Sequence, residues 1–341
     1  MKLNKNESLT ILFGLRAALK LGLTIQEAIA LQSETSKGKI AKVLAKADYL
    51  INKKRKKIAD VFYKLGILTI DEKYILENAG MAAKQAINEI IKLREIKGRF
   101  DKTLFSLLWF PFLSGIIGMS LVIFLYPKFN KPFQAIIEMA ELRGVTDLET
   151  STGFWYIDNF YMVKYVLALW IITGFVLLAA YIFLRKYYPD FIYRIFKLAA
   201  YDDIPYILTY MKILHNLGVP PIQIVNMLYN SNTNPGWKKL FFKLKQAIAN
   251  SKPVWREFKR YGFPDEITLF MKYAEESKDF WGNIENMISF TFQKSIDGNE
   301  MLKRIWGPMS SYIAYTIIVY FLTGVLMFIF QMQAIATAMQ Q

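Results

Sequence analysis

Few residues in this chain have the types and spacing that chemistry needs. Glu77 and Glu275 occupy matching places near the ends of two helical stretches, and Glu276 and Asp279 follow the second. Such carboxylates can hold a hard cation, but Ca²⁺ takes six to eight oxygen ligands and only a few are in view. Interhelical salt bridges are the commoner use of repeated acids. His215 is the only histidine, and cysteine is absent. Disulfides, thiolate nucleophiles and sulfur-bound metals are therefore excluded. A His-centred triad or a multi-His metal centre within one chain is disfavoured, while carboxylate chemistry stays open. His215 itself, one turn before Gly218, reads as a half-exposed helical residue. Neither a GxxxxGK(S/T) loop nor a strand-borne GxGxxG occurs, so nucleotide phosphates should not be bound by those routes. The expectation is no catalytic residue, no cofactor and no metal.

The most conspicuous charge run is Lys53-Lys54-Arg55-Lys56-Lys57. A solvated interhelical loop is its first reading. An anionic lipid surface is the second, each basic residue there contributing about 1 kcal/mol. Nucleic acid is a distant third, because no groove-reading helix or aromatic-interleaved strand accompanies the run.

The elements that must position these residues are organised around charge-free runs. Leu104 to Tyr126 is 23 residues without a charged side chain, with Pro111 inside it and Pro127 closing it. A bilayer core about 30 Å thick needs roughly 20 helical residues, so this run reads as a transmembrane helix. Tyr165 to Leu184 and Gly307 to Phe330 are two more such runs. Residues 1–103 hold 21 Lys and Arg against 11 acids, residues 185–306 hold 18 against 12, and residues 127–163 hold 3 against 5. Basic residues beside spans stay on the cytoplasmic side. The N-terminus, without a secretory signal pattern, is accordingly expected inside. The expected order is a cytoplasmic domain 1–103, a first span 104–126, an extracytoplasmic loop 127–163 and a second span 164–184. A cytoplasmic domain 185–306, a third span 307–332 and an outer tail 333–341 complete it. No Asp, Glu, Lys, Arg or His lies inside the three charge-free runs, which argues against an ion or proton path. Ser114, Gly118, Gly174 and Gly324 suit close helix packing within or between copies.

The two basic segments read as copies. Leu12, Leu15 and Leu19 form one helical face ending at Gly22, and Thr24-Ile25-Gln26-Glu27 is a capping box for the next helix. Gly218 stands 196 residues later, with Pro220-Pro221 in place of the box. The stripe Ile40, Val43, Leu44, Ala47, Ile51 returns as Trp237, Leu240, Phe241, Leu244, Ile248. Phe62 and Gly66 return as Phe258 and Gly262, and Pro111 as Pro308. The fold class expected is all-α: a polytopic membrane protein with two repeated cytoplasmic helical-bundle domains of about six helices each and three transmembrane helices.

In these features the chain resembles the bacterial type II secretion F-domain family, the inner-membrane platform proteins of type IV pilus and type II secretion machines. Carrying the resemblance are the hairpins Leu21-Gly22-Leu23 to Ala28 and Leu217-Gly218-Val219 to Ile224. With them go the elements Glu77-Asn78-Ala79-Gly80 and Glu275-Glu276-Ser277-Lys278, and the span motif Phe110-Pro111 through Pro127-Lys128-Phe129. Lys278 and Ile224 depart from the family's glycine and alanine. The length resembles the compact members that accompany type IVb pili. The resemblance implies a non-enzymatic scaffold in the bacterial inner membrane that couples a cytoplasmic hexameric ATPase to assembly of pilin or pseudopilin subunits. Other inner-membrane assembly proteins, membrane lipid and further copies of itself are the implied partners, and nucleic acid is not. The alternatives are a small polytopic transporter or channel with regulatory cytoplasmic domains, and a membrane-bound hydrolase or transferase using carboxylates.

Overall fold

Three N-terminal capping boxes set the register of the first repeat. In the computed structural model, Asn4, Thr24 and Thr69 each accept from the backbone N–H three residues on, and Glu7, Glu27 and Glu72 reach back to the cap. Each box satisfies two donors that a helix start would leave unpaired. The first helix therefore begins at Lys5, ahead of the face that starts at Leu12. The structure describes residues 3–80, 83–96, 179–232 and 234–338, with isolated positions between 116 and 176. Among the described residues there is no strand.

Two compact units divide the chain. One comprises Met1–Asp101 with Phe183–Gly298, and the other Lys102–Ile182 with Asn299–Gln341. In the first unit, repeat one runs α1 (Lys5–Lys20), α2 (Ile25–Thr35), α3 (Gly38–Asp48), a π turn (Tyr49–Lys53), α4 (Ile58–Lys64), α5 (Ile70–Asn78) and α6 (83–96). Repeat two is preceded by a short helix, α7 (Pro189–Ile195). It continues α8 (Lys197–Asn216), α9 (Pro221–Ser231), α10 (Pro235–Ala249), α11 (Val254–Arg260), α12 (Asp265–Glu276) and α13 (Phe280–Ala338), whose residues from Asn299 on belong to the second unit. Helices α2 and α9 have 11 residues each, and α4 and α11 have 7 each. Proline starts α9 and stands at the cap of α12, where repeat one uses threonine boxes, since its preset φ suits a helix start.

Apolar stripes meet in the core as their spacing requires. Val43, Leu44, Ala47 and Ile51 are buried on α3 and the π turn, and Leu240, Phe241 and Leu244 on α10. Fully burying a side chain of this size contributes roughly 1.5–3 kcal/mol. Ala28 and Ile224, at matching positions of α2 and α9, are both buried, so the bundle accommodates the larger group. The repeats touch through α5, which meets α8 and α9.

The expected span 104–126 and the loop 127–163 lie mostly outside the described residues, whereas the described positions of 164–184 are helical and mostly exposed. Of 307–332 the backbone is helical within α13, while most of its side chains lie outside the description. Among the described residues no helix is long and apolar enough to cross a membrane. Pro308, expected at the start of a span, sits inside the 59-residue α13 without ending it.

Candidate functional site

A cleft of about 720 Å³ opens where the start of α1, the α4–α5 turn and α6 converge, and Tyr206 of repeat two completes its lining. Arg94 on α6 is part of its lining. Ile87, Ile90 and Arg94 recur at helical spacing, so the same face that buries two isoleucines presents the guanidinium to the bundle. Arg94 Nε donates to Glu72 Oε1 at 2.6 Å and Nη2 to Glu72 Oε2 at 2.6 Å, a bidentate pair. Nη2 also donates to the Ile67 carbonyl at 2.6 Å, and Nη1 to Ser8 Oγ at 2.8 Å. The side chains of Arg94 and Glu72 are only 10% and 5% exposed.

Glu72 thus has two uses. Its Oε2 accepts from the Thr69 backbone N–H at 2.8 Å in the capping box, and both its oxygens engage Arg94. A carboxylate so occupied fixes helices and is not poised as a base. Beside it, Tyr206 donates to Asp71 Oδ2 at 3.1 Å across the repeats. Burial, then the neighbouring Asp71 charge, push the Tyr206 phenol well above its usual range, so it stays a neutral donor.

Repeat two holds its last helix differently. Ser295 on α13 donates to Asp202 on α8 at 2.5 Å, and Lys212 pairs with Glu285 at 2.6 Å. His215, half-buried, stacks on Trp281 with ring centroids 4.0 Å apart. Asp203 accepts from Arg185 at 2.5 Å and from the Tyr193 hydroxyl at 2.7 Å. Tyr193 is fully buried against Trp237, Tyr261 and Phe263, and that burial drives its phenol well above the usual range.

The residues singled out in the sequence are turn and docking residues. Gly22 and Gly218 take φ of +89° and +80°, and each turn closes by a backbone bond from the next residue to a carbonyl five back, Leu23 to Ala18 at 3.3 Å and Val219 to Leu214 at 3.0 Å. Gly80 is also left-handed, at φ +51°. Repeat two turns there without a left-handed residue: Ser277 Oγ accepts from the Asp279 N–H at 3.0 Å and Asp279 Oδ1 from the Gly282 N–H at 2.9 Å. Glu77 pairs with Lys73 at 3.3 Å, and Lys73 reaches Asp60 at 2.7 Å, joining α5 to α4. Glu275 accepts from the Trp255 N–H at 3.0 Å, joining α12 to α11. Among the described residues no group of three or more His, Asp or Glu is placed to hold a metal. Pro111, Pro127 and Phe129 lie outside the described residues.

Lys53 to Lys57 are exposed, in and after the π turn. Sequence reasoning missed Arg94, although its place on the Ile87–Ile90 stripe signals a buried cation, and it missed the Asn4 and Asp279 caps. No protein-family model matches the chain, and no curated protein matches it either.

Proposed function

We propose that this chain is the inner-membrane platform of a type IV pilus or type II secretion machine. On this reading it crosses the bacterial inner membrane three times, keeps both repeats in the cytoplasm, and couples a hexameric assembly ATPase to the addition of pilin or pseudopilin subunits. The observation that carries the reading is α13. Its first turns are buried in repeat two through Ile284, Met287, Thr291 and Ser295, and the same helix continues to Ala338 through the charge-free run. An uninterrupted helix has no loop to absorb a displacement, and on this reading movement of the bundle is passed along it. Pro308 removes one backbone hydrogen bond without ending the helix.

Supporting features are the three charge-free runs with basic flanks and the span motif around Pro111 and Pro127. Neither repeat carries a nucleotide loop, so a motor has to be a separate chain. Arg94 and the Asp202–Ser295 pair hold the last helix of each repeat in place, as a coupler requires. The test combines a gene deletion, assayed for surface pili or secreted cargo, with a helix-breaking Gly-Pro insertion after Lys303. Both should abolish assembly, and the insertion variant should still be membrane-inserted and folded. Normal assembly without the gene, or solute flux from the purified protein in liposomes, would overturn the platform reading, the latter in favour of a transporter.

A further inference from the structure

Helix α7 buries one side in the bundle. Ile192 and Tyr193 are 2% and 0% exposed, and Tyr193 alone meets three aromatic rings. The adjoining side presents large apolar groups to solvent. Phe191, Ile195 and Phe196 are 50%, 55% and 55% exposed, and Phe183 and Tyr188, just before the helix, are 55% and 49% exposed. Tyr188, Phe191 and Ile195 recur at three and four residues, which lines them up on one helical face.

Cations surround this face. Lys186 lies over the Tyr187 ring at 5.5 Å and Lys239 over the Tyr188 ring at 5.4 Å. Arg194, exposed, donates to the Arg260 carbonyl at 3.2 Å, and Lys197 is exposed beyond it. Of the acids nearby, Asp203 is engaged by Arg185 and Tyr193, Glu266 lies within the field of Lys197, and Asp190 is the acid on α7 itself. The local balance is positive. Phenolic rings among apolar side chains, rimmed by lysine and arginine, match the headgroup layer of a bilayer. There the rings sit at the water boundary and the cations meet lipid phosphates. In sequence the patch follows directly on the charge-free run Tyr165 to Leu184.

We propose that residues 183–197 form an interfacial seat for anionic phospholipid, with Tyr188, Phe191 and Ile195 lying in the headgroup layer and Lys186, Arg194 and Lys239 pairing with its phosphates. This rests on the membrane reading above and adds to it a contact that the spans do not supply. It gives repeat two a lipid-dependent orientation rather than a free tether.

The absence of cysteine makes the test direct. Full-length protein carrying Phe191→Cys or Ile195→Cys is labelled with an environment-sensitive fluorophore and reconstituted in phosphatidylcholine vesicles with or without phosphatidylglycerol, with brominated lipids as quenchers. Ile172→Cys, within the charge-free run, and Asn250→Cys, exposed on repeat two, are the controls. Quenching at 191 and 195 should come from shallow bromines and exceed that at 250 by about twofold or more in anionic vesicles. It should weaken in Lys186→Glu/Lys239→Glu. Deep quenching at 172 with none at 191 and 195 would overturn the seat while sparing the membrane reading. No quenching at 172 would sink both. Disulfide-linked dimers of the unlabelled Phe191→Cys variant, with no lipid quenching of its labelled form, would put a second copy on the face and also overturn the proposal.

Discussion

In repeat one the closing helix is held by a buried ion pair, and in repeat two by a buried serine–aspartate hydrogen bond, a more exposed ion pair, Lys212–Glu285, and aromatic packing. The backbones nevertheless agree in detail. Left-handed residues recur 196 apart at Gly22 and Gly218, at Arg55 and Ser251, and at Gly66 and Gly262. Counted by the same offset, Glu72 falls on Thr268, and by 197 Arg94 falls on Thr291; both threonines are buried. Each satisfies itself on its own helix, Thr268 Oγ donating to the Pro264 carbonyl at 3.3 Å and Thr291 Oγ to the Met287 carbonyl at 2.7 Å. Three left-handed turns therefore match between the two segments, while the chemistry that closes each bundle differs. A turn that needs positive φ tolerates few residues, whereas a buried helix contact can be satisfied in several ways.

The largest expected effect breaks this comparison at Arg94. Arg94→Met leaves the Glu72 carboxylate buried with its capping bond and no cation, which should destabilise the first unit by about 3–5 kcal/mol. Replacing both partners, Arg94→Met with Glu72→Leu, removes the stranded charge and should recover most of that loss, although the Thr69 cap is weakened by about 1 kcal/mol. Thr291→Val in repeat two should cost far less. Denaturant unfolding followed by helical circular dichroism measures all three. Equal losses for Arg94→Met and Thr291→Val would show that the repeats close alike.

A smaller effect sharpens the comparison at the shared turns. Gly22→Ala and Gly218→Ala each force a β-carbon into left-handed backbone, and nothing lies within 4 Å of either added carbon. The penalty is therefore conformational alone, about 1–2 kcal/mol, and should be the same in both repeats. Thermal unfolding of the two variants checks it. A penalty at only one turn would mean that the repeats differ in backbone as well as in side chains.

How far the fold could be read from sequence follows from how local each signal is. The Leu12–Leu19 face, the Val43–Ile51 part of the Ile40 stripe and the Thr24 and Thr69 boxes lie within a few turns of helix, and the structure buries or bonds them as their spacing requires, with Ile40 half-buried. Arg94 is different. Its partners Glu72 and Ser8 lie 22 and 86 residues away, and no periodicity links them. The cluster of Tyr193, Trp237 and Phe263 is likewise assembled from two separate helices and a turn. In sequence, Lys278 marks the loss of a turn glycine. The Ser277–Asp279 cap shows that the turn is rebuilt with side-chain acceptors, a substitution that needs no left-handed residue.

The smallest expected effect is a pH dependence of opposite sign in the two α-helical docking contacts. Glu275 is pushed above its usual value, chiefly by burial, with the Trp255 and Val254 N–H groups opposing. A folded-state carboxyl that holds its proton more tightly than the unfolded one contributes stability in acid, and that contribution is lost as pH rises through the raised value. Asp60 is held below its usual value, chiefly by its hydrogen bond from Lys73. Its contribution is present above the ordinary carboxylate range and is lost as pH falls through the depressed value. Asp60 is well exposed, so its effect is screened and small. Melting curves between about pH 3 and pH 7 should show Glu275→Gln removing a decline on the alkaline side of that window and Asp60→Asn removing one on the acid side. Parallel curves for wild type and Glu275→Gln would mean that Glu275 ionises as freely folded as unfolded. Its junction with α11 would then not be the partly desolvated contact that distinguishes it from the exposed Lys73 bridge of repeat one.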